Sequence, residues 1–564
     1  MEYPEPPVLV LAKDNTRRLP GNCHHPYITI SQEYAERVRE FSCISSSKSL
    51  YSGQRFVALA HFLGRPYERR AARLDCRAMN AVSRREPCSF AIILNWQEEL
   101  GGRIQHLDLV DQLHTIDKTA GSLIILKGYP TAEWLNTLGA KFRIDPDFYQ
   151  SHLSFWSESG NNISRQNMAP RLPSAQTETV MLRITTIGVL TRKMHSSHGG
   201  GAQKRLDDLR RQTSKEMAAY ISRLSSLDSP DMVLADSIVR EFVMLDLEHF
   251  AIEQMISISI SPCSKGGWRS TVWSDVGRRL QECPQGPWRP EIRKQNLSDM
   301  FFLPVSIFKP RMVLKSAARN QNGNVASHIG PQSASILFED YDKQLDGAQA
   351  AVDPLYALSP TFRLALFSEL ALLDVIESNI SSELTHSAVI AQETPTMSNL
   401  LYYKQVLKRH TESLKEAIAF IEGFRNAPAY QSVTNGAKSK YIEEMTSMLV
   451  DFRAALQRAE LLCDECFQGM GIVAHNASIR EAQKAFAEAR SVTKLTRLAF
   501  IFVPLSFTTS AFGMNISELG NGEAPSFWVW AVVTVIIGVP VFALFQWDAA
   551  QLRAFGEALF FKRW

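Results

Sequence analysis

The sequence predicts a cytosolic α/β domain followed by long stalk helices and a C-terminal two-helix transmembrane hairpin. Three observations predict it. Two uncharged stretches, 498–517 and 524–547, flank a short acidic loop at 518–523. Each is long enough to cross a hydrocarbon core as a helix, which takes ~20 residues at ~1.5 Å rise. β-branched runs alternate with helix-like stretches between about 121 and 280. After 353, apolar residues recur at helical spacing almost without pause.

In chain order, residues 1–120 read as a variable N-terminal region, with helical fragments at Gln32–Phe41 and Gln54–Leu63 among polar runs. The domain at 121–280 begins with the strand-like SLIILKGY at 122–129, closed by Pro130; Thr131 is placed to cap a helix through AEWLNTLGAKF. MLRITTIGVL at 181–190, EFVMLDLE at 241–248, FAIEQMISISI at 250–260 and WRSTVWSDV at 268–276 read as further strands, with a polar helix at Ala202–Ser225 between them. Strands alternating with helices predict an α/β domain. Residues 281–352, rich in Pro, Gly, Ser, Asn and Gln, read as a linker, partly disordered. The helical region 353–497 contains Leu358–His386, Met397–Ala427 and a last helix from near Lys440. In that last helix Tyr441, Met445, Met448, Phe452, Ala455, Ala459 and Leu462 form a heptad-like stripe. It fits packing within one subunit or a seam between subunits. Gly469 and Gly471 weaken the helix locally, and the pattern resumes at Ser478 and runs into the first span. A continuous helix from 478 to 512 would be ~50 Å long.

Composition narrows the function. The chain has 564 residues, 45% hydrophobic and 21% charged, with a net charge of +3. That is a globular balance with an apolar tail, and it gives no case for nucleic acid. The start, MEYPEPPVLVLAKDN, is acidic and proline-broken, unlike a secretory leader. Arg490, Lys494 and Arg497 precede the first span, Arg553, Lys562 and Arg563 follow the second, and the loop between carries Glu518 and Glu523 without Lys or Arg. The positive-inside rule puts both termini on the cytoplasmic, or matrix, side and the loop outside. The eight cysteines then lie where free thiols are expected. Cys463 and Cys466 form a CxxC within a helical stretch, with no second Cys or His pair nearby in sequence. No P-loop, G-x-S-x-G, HExxH or dinucleotide fingerprint occurs, so no enzyme is predicted.

The first span is polar for a lone anchor. Counting back from Ser510 at helical spacing gives Ser506, Val503, Ala499, Thr496 and Val492, a face of small or uncharged residues. Such a face can line a narrow pore or pack tightly against other helices. The run PLSFTTSAFGMN at 504–515, the acidic loop and the aromatic-started second span resemble the CorA family of magnesium channels, whose hallmark is Gly-Met-Asn at the outer end of the first of two spans. The detailed likeness covers about 478–547, and segments such as ILKGYPTAEWLNTLGAKFRIDPDFYQSHLSF resemble divergent CorA-like proteins of fungi.

The resemblance implies a funnel-shaped homopentamer in a lipid bilayer, with the plasma membrane favoured, conducting hydrated divalent cations, Mg²⁺ first among them. It implies a selectivity filter of Gly513, Met514 and Asn515, with Asn515 meeting the metal through its hydration water. It places Ser506, Val503, Ala499, Leu495 and Val492 on the pore, Leu495 at a hydrophobic constriction. Ala489 stands where the family can carry a polar amide, a departure. Glu518 and Glu523 would attract cations to the mouth. Neutral amide oxygens suit Mg²⁺, which sheds its inner water shell reluctantly. The family also uses Mg²⁺ as a regulatory ligand at acidic residues between subunits; candidates here would come from the Asp and Glu of the α/β and helical parts, such as Asp246 or Glu248, and none is assigned. Two alternatives stay open: a CorA-like membrane-anchored scaffold or sensor that does not conduct, and a Zn²⁺ transporter of the same superfamily.

Overall fold

The computed structural model describes residues 26–71, 89–97, 101–115, 121–155, 179–190, 201–225, 232–262, 267–280, 282–284, 286–288, 300–303, 305, 332–339, 341, 345–389, 393–426, 438–513 and 527–546. The chain divides into two compact units, Met1–Gly469 and Met470–Trp564.

The first unit opens with helices α1 (Pro26–Ser42) and α2 (Val57–Ala71). Strands β1 (Ala91–Gln97), β2 (Gly101–Leu107) and β3 (Ser122–Lys127) follow, then α3 (Ala132–Phe142), α4 (Pro146–His152), β4 (Thr179–Leu190) and α5 (Gly201–Ser225). Next come β5 (Glu241–Met244), β6 (His249–Pro262), β7 (Trp268–Ser274) and β8 (Met300–Phe302), and the helices α6 (Ser333–Glu339), α7 (Gly347–Val352), α8 (Pro354–Val389) and α9 (Glu393–Asn426). Helix α10 (Lys438–Gly513) runs out of this unit, and α11 (Phe527–Gln546) lies in the second.

One eight-stranded sheet has the order β2-β1-β3-β7-β6-β4-β8, with β5 also paired to β6. Strand β6 is its spine. On one side β4 pairs along it from His249 to Ser259; on the other, β5 and β7 pair with its successive halves. Only β3 and β7 are parallel. The expected alternation of strand and helix is therefore realised in a mixed, mainly antiparallel sheet. The sheet also starts earlier than the boundary near 121: AIILNWQ forms β1, whose residues from Ala91 to Leu94 are all buried, so it shows no alternation to mark it as a strand. Likewise the stretch 281–352 supplies β8, α6 and α7, and Trp288 enters the main core.

Local signals explain the elements that were legible. Thr131 stands at the extended position before α3, but its side chain makes no capping bond; Asp145 does cap α4, accepting from the Asp147 amide at 2.8 Å. Gly128, at φ +68°, turns the chain out of β3 where a Cβ would sit 2.5 Å from the Asp236 carbonyl oxygen. The core beneath is aromatic: Trp273 meets Tyr149 edge-on at 5.8 Å and donates from its indole to the Gly128 carbonyl at 3.0 Å.

Helices α8 and α9 cover β4, and a buried charge cluster ties them to β6. Glu253 of β6 is fully buried and accepts from Arg183 of β4 and, at 2.9 Å, from Arg409 of α9. Its second neighbour on α9 is His410, 3.3 Å away, whose other ring nitrogen lies 2.8 Å from Glu369 of α8. Burial acts to raise the Glu253 carboxyl, but His410, Arg183 and Arg409 outweigh it and hold it well below its usual range. Burial acts to lower His410, and Glu369 and Glu253 outweigh it, bringing its pKa to about 9.

The heptad stripe of α10 packs inside the subunit. Met445, Met448, Phe452, Ala455, Ala459 and Leu462 are all buried, and Phe452 meets Phe362 of α8. Tyr441's side chain lies outside the described residues. The helix passes Gly469 and Gly471 unbroken. At Gly469 a Cβ would meet the Leu384 side chain at 2.6 Å, so the glycine admits a close helix contact that repays its low helix propensity.

Two predictions follow from this packing. His410 titrates near 6.5 when unfolded and about 9 when folded, so its stabilisation is complete below about pH 6.5 and is lost as pH rises through 9. Thermal unfolding by circular dichroism should show that alkaline loss, and His410→Gln should flatten it while costing ~3 kcal/mol at neutral pH. Gly469→Val should lower stability by ~1–3 kcal/mol in the same assay.

Candidate functional site

Within the second unit, α10 carries the face that the sequence singled out. Its hydroxyls serve its own backbone. Thr493 donates to the Ala489 carbonyl at 2.8 Å, Thr496 to Val492 at 2.8 Å, Ser506 to Val503 at 3.0 Å and Thr509 to Leu505 at 2.7 Å. An apolar helix can therefore hold these polar groups without a water partner. Pro504 has no N–H for the Phe500 carbonyl, a local weakness inside an otherwise regular helix.

Val492, Leu495, Ala499, Val503 and Ser506 are all exposed. Apart from Leu495, they belong to a longer stripe. Stepping by 4 and 3 residues from Gly471 leads through His475, Ser478, Ala482, Ala485 and Ala489 to Val492, and on through Thr496, Ala499, Val503, Ser506 and Ser510 to Gly513. Every position is exposed and none is Asp, Glu, Lys or Arg. The stripe is ~63 Å long. Beside it, at heptad spacing, Ile472, Ile479 and Phe486 are also exposed, Phe486 at 71%. These three precede the uncharged span, where a contiguous apolar face in water marks a docking surface.

Thr508 is buried, at 2% exposure. Among the described residues of α10 beyond Val473 no other is. It lies ~180° around the helix from Ala499, and Thr534 of α11 donates to its hydroxyl at 3.1 Å. Helix α11 thus covers the back of α10 and leaves the stripe open. The pairing was not legible in the sequence: the threonines are visible there, but their register across the hairpin is not.

A window long and apolar enough to cross a membrane lies within Met445–Gly513, and almost none of it is buried; Phe527–Pro540 is a shorter apolar helix. Gly513 ends α10, and a Cβ there would meet nothing within 4 Å of the chain itself. Met514, Asn515, Glu518 and Glu523 lie outside the described residues.

A family model described as "CorA-like Mg2+ transporter protein" matches residues 371–546, from α8 through the hairpin. The likeness to that family rests on this segment, less than a third of the chain. The chain is also similar to two solved structures at 12% identity. One is the CorA magnesium transporter from Methanocaldococcus jannaschii, with a TM-score of 0.36 over 82% of this chain and 98% of that one. The other is the full-length CmaX protein, with a TM-score of 0.28 over 82% and 100%. No curated protein matches the chain significantly. The Gly513-Met514-Asn515 run lies inside the matched segment.

Other clusters in the first unit are structural. Asp246 accepts from the backbone amides of Glu248 and His249, both at 2.7 Å, and from Asn379 at 3.2 Å, so its oxygens serve a turn and a helix contact. Ser257, His152 and Asp275 lie in a row, with Ser257 Oγ 2.8 Å from His152 Nδ1 and His152 Nε2 3.2 Å from Asp275 Oδ1. Ser257 is 1% exposed, and burial lowers the His152 pKa, so this resemblance to a hydrolytic triad has no path to a substrate. Among the described residues no group of three or more His, Cys, Asp or Glu is placed to hold a metal. Cys466 is buried, and burial pushes its thiol up to about 12. A zinc-selective chelator should therefore leave the thermal unfolding of the native protein unchanged.

Proposed function

We propose that several copies of this chain assemble around the exposed stripe of α10 into a divalent-cation channel, with Mg²⁺ the favoured ion. The observation that carries this reading is the continuous, exposed and uncharged seam from Gly471 to Gly513. A single subunit has no use for it. Two helices cannot enclose a pore, and α11 packs on the opposite face. Copies arranged about an axis would bury Ile472, Ile479 and Phe486 between them and turn the small residues inward. A homopentamer is the assembly that the likeness to the CorA-like family favours.

In this reading Ser506 and Ser510 offer hydroxyls to a hydrated ion, Val503 and Ala499 narrow the path without holding the ion, and Leu495 forms the inner constriction. Asn515, one from each subunit, presents amide oxygens at the outer end. Neutral oxygens hydrogen-bond the hydration shell of Mg²⁺ without stripping it, and a ring of carboxylates would hold a divalent ion too tightly to release it. Glu518 and Glu523 raise the local cation concentration. Both termini face the cytoplasm, and the first unit is the domain on which cytosolic Mg²⁺ would act as regulatory ligand.

Three outcomes test the proposal. In proteoliposomes loaded with a Mg²⁺-sensitive dye, the wild type should conduct, and Asn515→Ala should abolish flux while the assembly survives; normal flux through Asn515→Ala would remove the tripeptide from the filter. Absence of flux in the wild type would favour the non-conducting scaffold, and a preference for Zn²⁺ the zinc-transporting alternative. Phe486→Glu, which places a charge on the seam outside the span, should break the assembly without unfolding the first unit, as read by size-exclusion chromatography in detergent. A cysteine introduced at Ser517 or Asn521 should react with an impermeant thiol reagent from outside, whereas labelling of the N-terminal domain from that side would reverse the topology.

A further inference from the structure

We propose that the hydroxyls of Thr508 and Thr534 clamp the hairpin and fix the rotation of α10 about its axis, and so decide which of its faces is turned to the pore. The inference rests on the pore reading above and adds two positioning residues to it, neither of which touches the ion.

The geometry is specific. Thr508 is the buried point of a helix segment whose other faces are open. Its Oγ1 donates to the Leu505 carbonyl at 3.0 Å and accepts from Thr534 Oγ1 at 3.1 Å. Thr534 in turn lies 2.8 Å from its own Trp530 carbonyl. Two hydroxyl protons face three acceptors, so the single Thr534 proton is shared between Thr508 and its own Trp530 carbonyl. Pro504, Leu505, Ala511 and Phe512 are half-buried around Thr508. They are apolar, and apolar side chains slide past one another in a hydrocarbon setting at little cost. Helix α11 is apolar on all sides and would otherwise tolerate several rotations of α10 against it. A directed hydrogen bond between β-branched side chains does not, because Thr has few χ1 choices in a helix.

Rotation matters because the two neighbouring faces differ. Ser506 lies on the small-residue stripe, and Phe507, one step or ~100° further round, carries a large exposed ring. A turn of one residue would replace hydroxyl by phenyl along the ion path.

The test measures site-resolved labelling by a water-soluble methanethiosulfonate in the full assembly in liposomes, comparing Ser506→Cys with Phe507→Cys. In the wild-type hairpin the cysteine at 506 should react faster. Thr508→Val and Thr534→Val, which keep shape and remove a hydroxyl, should each shrink that contrast by about threefold, the weight of an average interhelical hydrogen bond in a membrane. Thr508→Ser should retain it. An unchanged contrast in both valine variants would overturn the clamp, and so would loss of the assembly in both, since the hydroxyls would then serve folding rather than rotation. If Ser506→Cys reacts no faster than Phe507→Cys in the otherwise wild-type protein, the pore reading itself fails and the clamp with it.

Discussion

An exposed, uncharged helical seam is the constraint on which this protein's organisation depends. From Gly471 to Gly513 one face of α10 carries small side chains, flanked by Ile472, Ile479 and Phe486, and all of these are exposed among the described residues. Apolar surface left in water costs roughly 25 cal/mol per Å², so the part of the seam before the uncharged span calls for a partner. Within the span, polar groups are satisfied locally. There the hydroxyls of Ser506 and Thr509 are satisfied by backbone carbonyls, and what small residues permit is close approach of helices or of a hydrated ion.

The first unit handles its polar groups in a different way. It sequesters them as matched clusters: Glu253 with Arg183, Arg409 and His410, and Asp275 with Arg240 and His152. Each joins separate elements, β6 to α8 and α9 in one case and the residue just after β7 to α4 in the other. Buried pairs of this kind add little net stability against an apolar alternative but are costly to break. They fix how the helices lie on the sheet. The first half of α10 is fastened to that body by the buried stripe from Met445 to Leu462, by Arg458 bridging Asp374 and Glu377, and by the tight contact at Gly469.

Much of this was legible in the sequence, for identifiable reasons. SLIILK, AEWLNTLGAKF and the β6 run announce their elements through composition and turn residues that act locally. AIILNWQ did not, because a strand buried on both faces has no period of two, and GGRIQHL becomes a strand only through its partner. The mainly antiparallel order of the sheet depends on which strands meet, which alternation along the chain does not encode. Spacing alone could not tell an intra-subunit stripe from a seam at Met445–Leu462; burial decides for the first. The stripe from Val492 to Ser510 was readable by counting, while its extension to Gly471 was hidden by two glycines, of which Gly469 makes a close contact with Leu384. The Thr508–Thr534 pair was not legible, because register across the hairpin leaves no trace in sequence.

The central claim is that the seam of α10 is closed by further copies of the same chain. Native mass spectrometry of the full-length protein released from mild detergent tests it most directly. The account predicts a homopentamer as the dominant species. A stable monomer under the same mild conditions would contradict it, because one subunit cannot cover its own seam or surround an ion path.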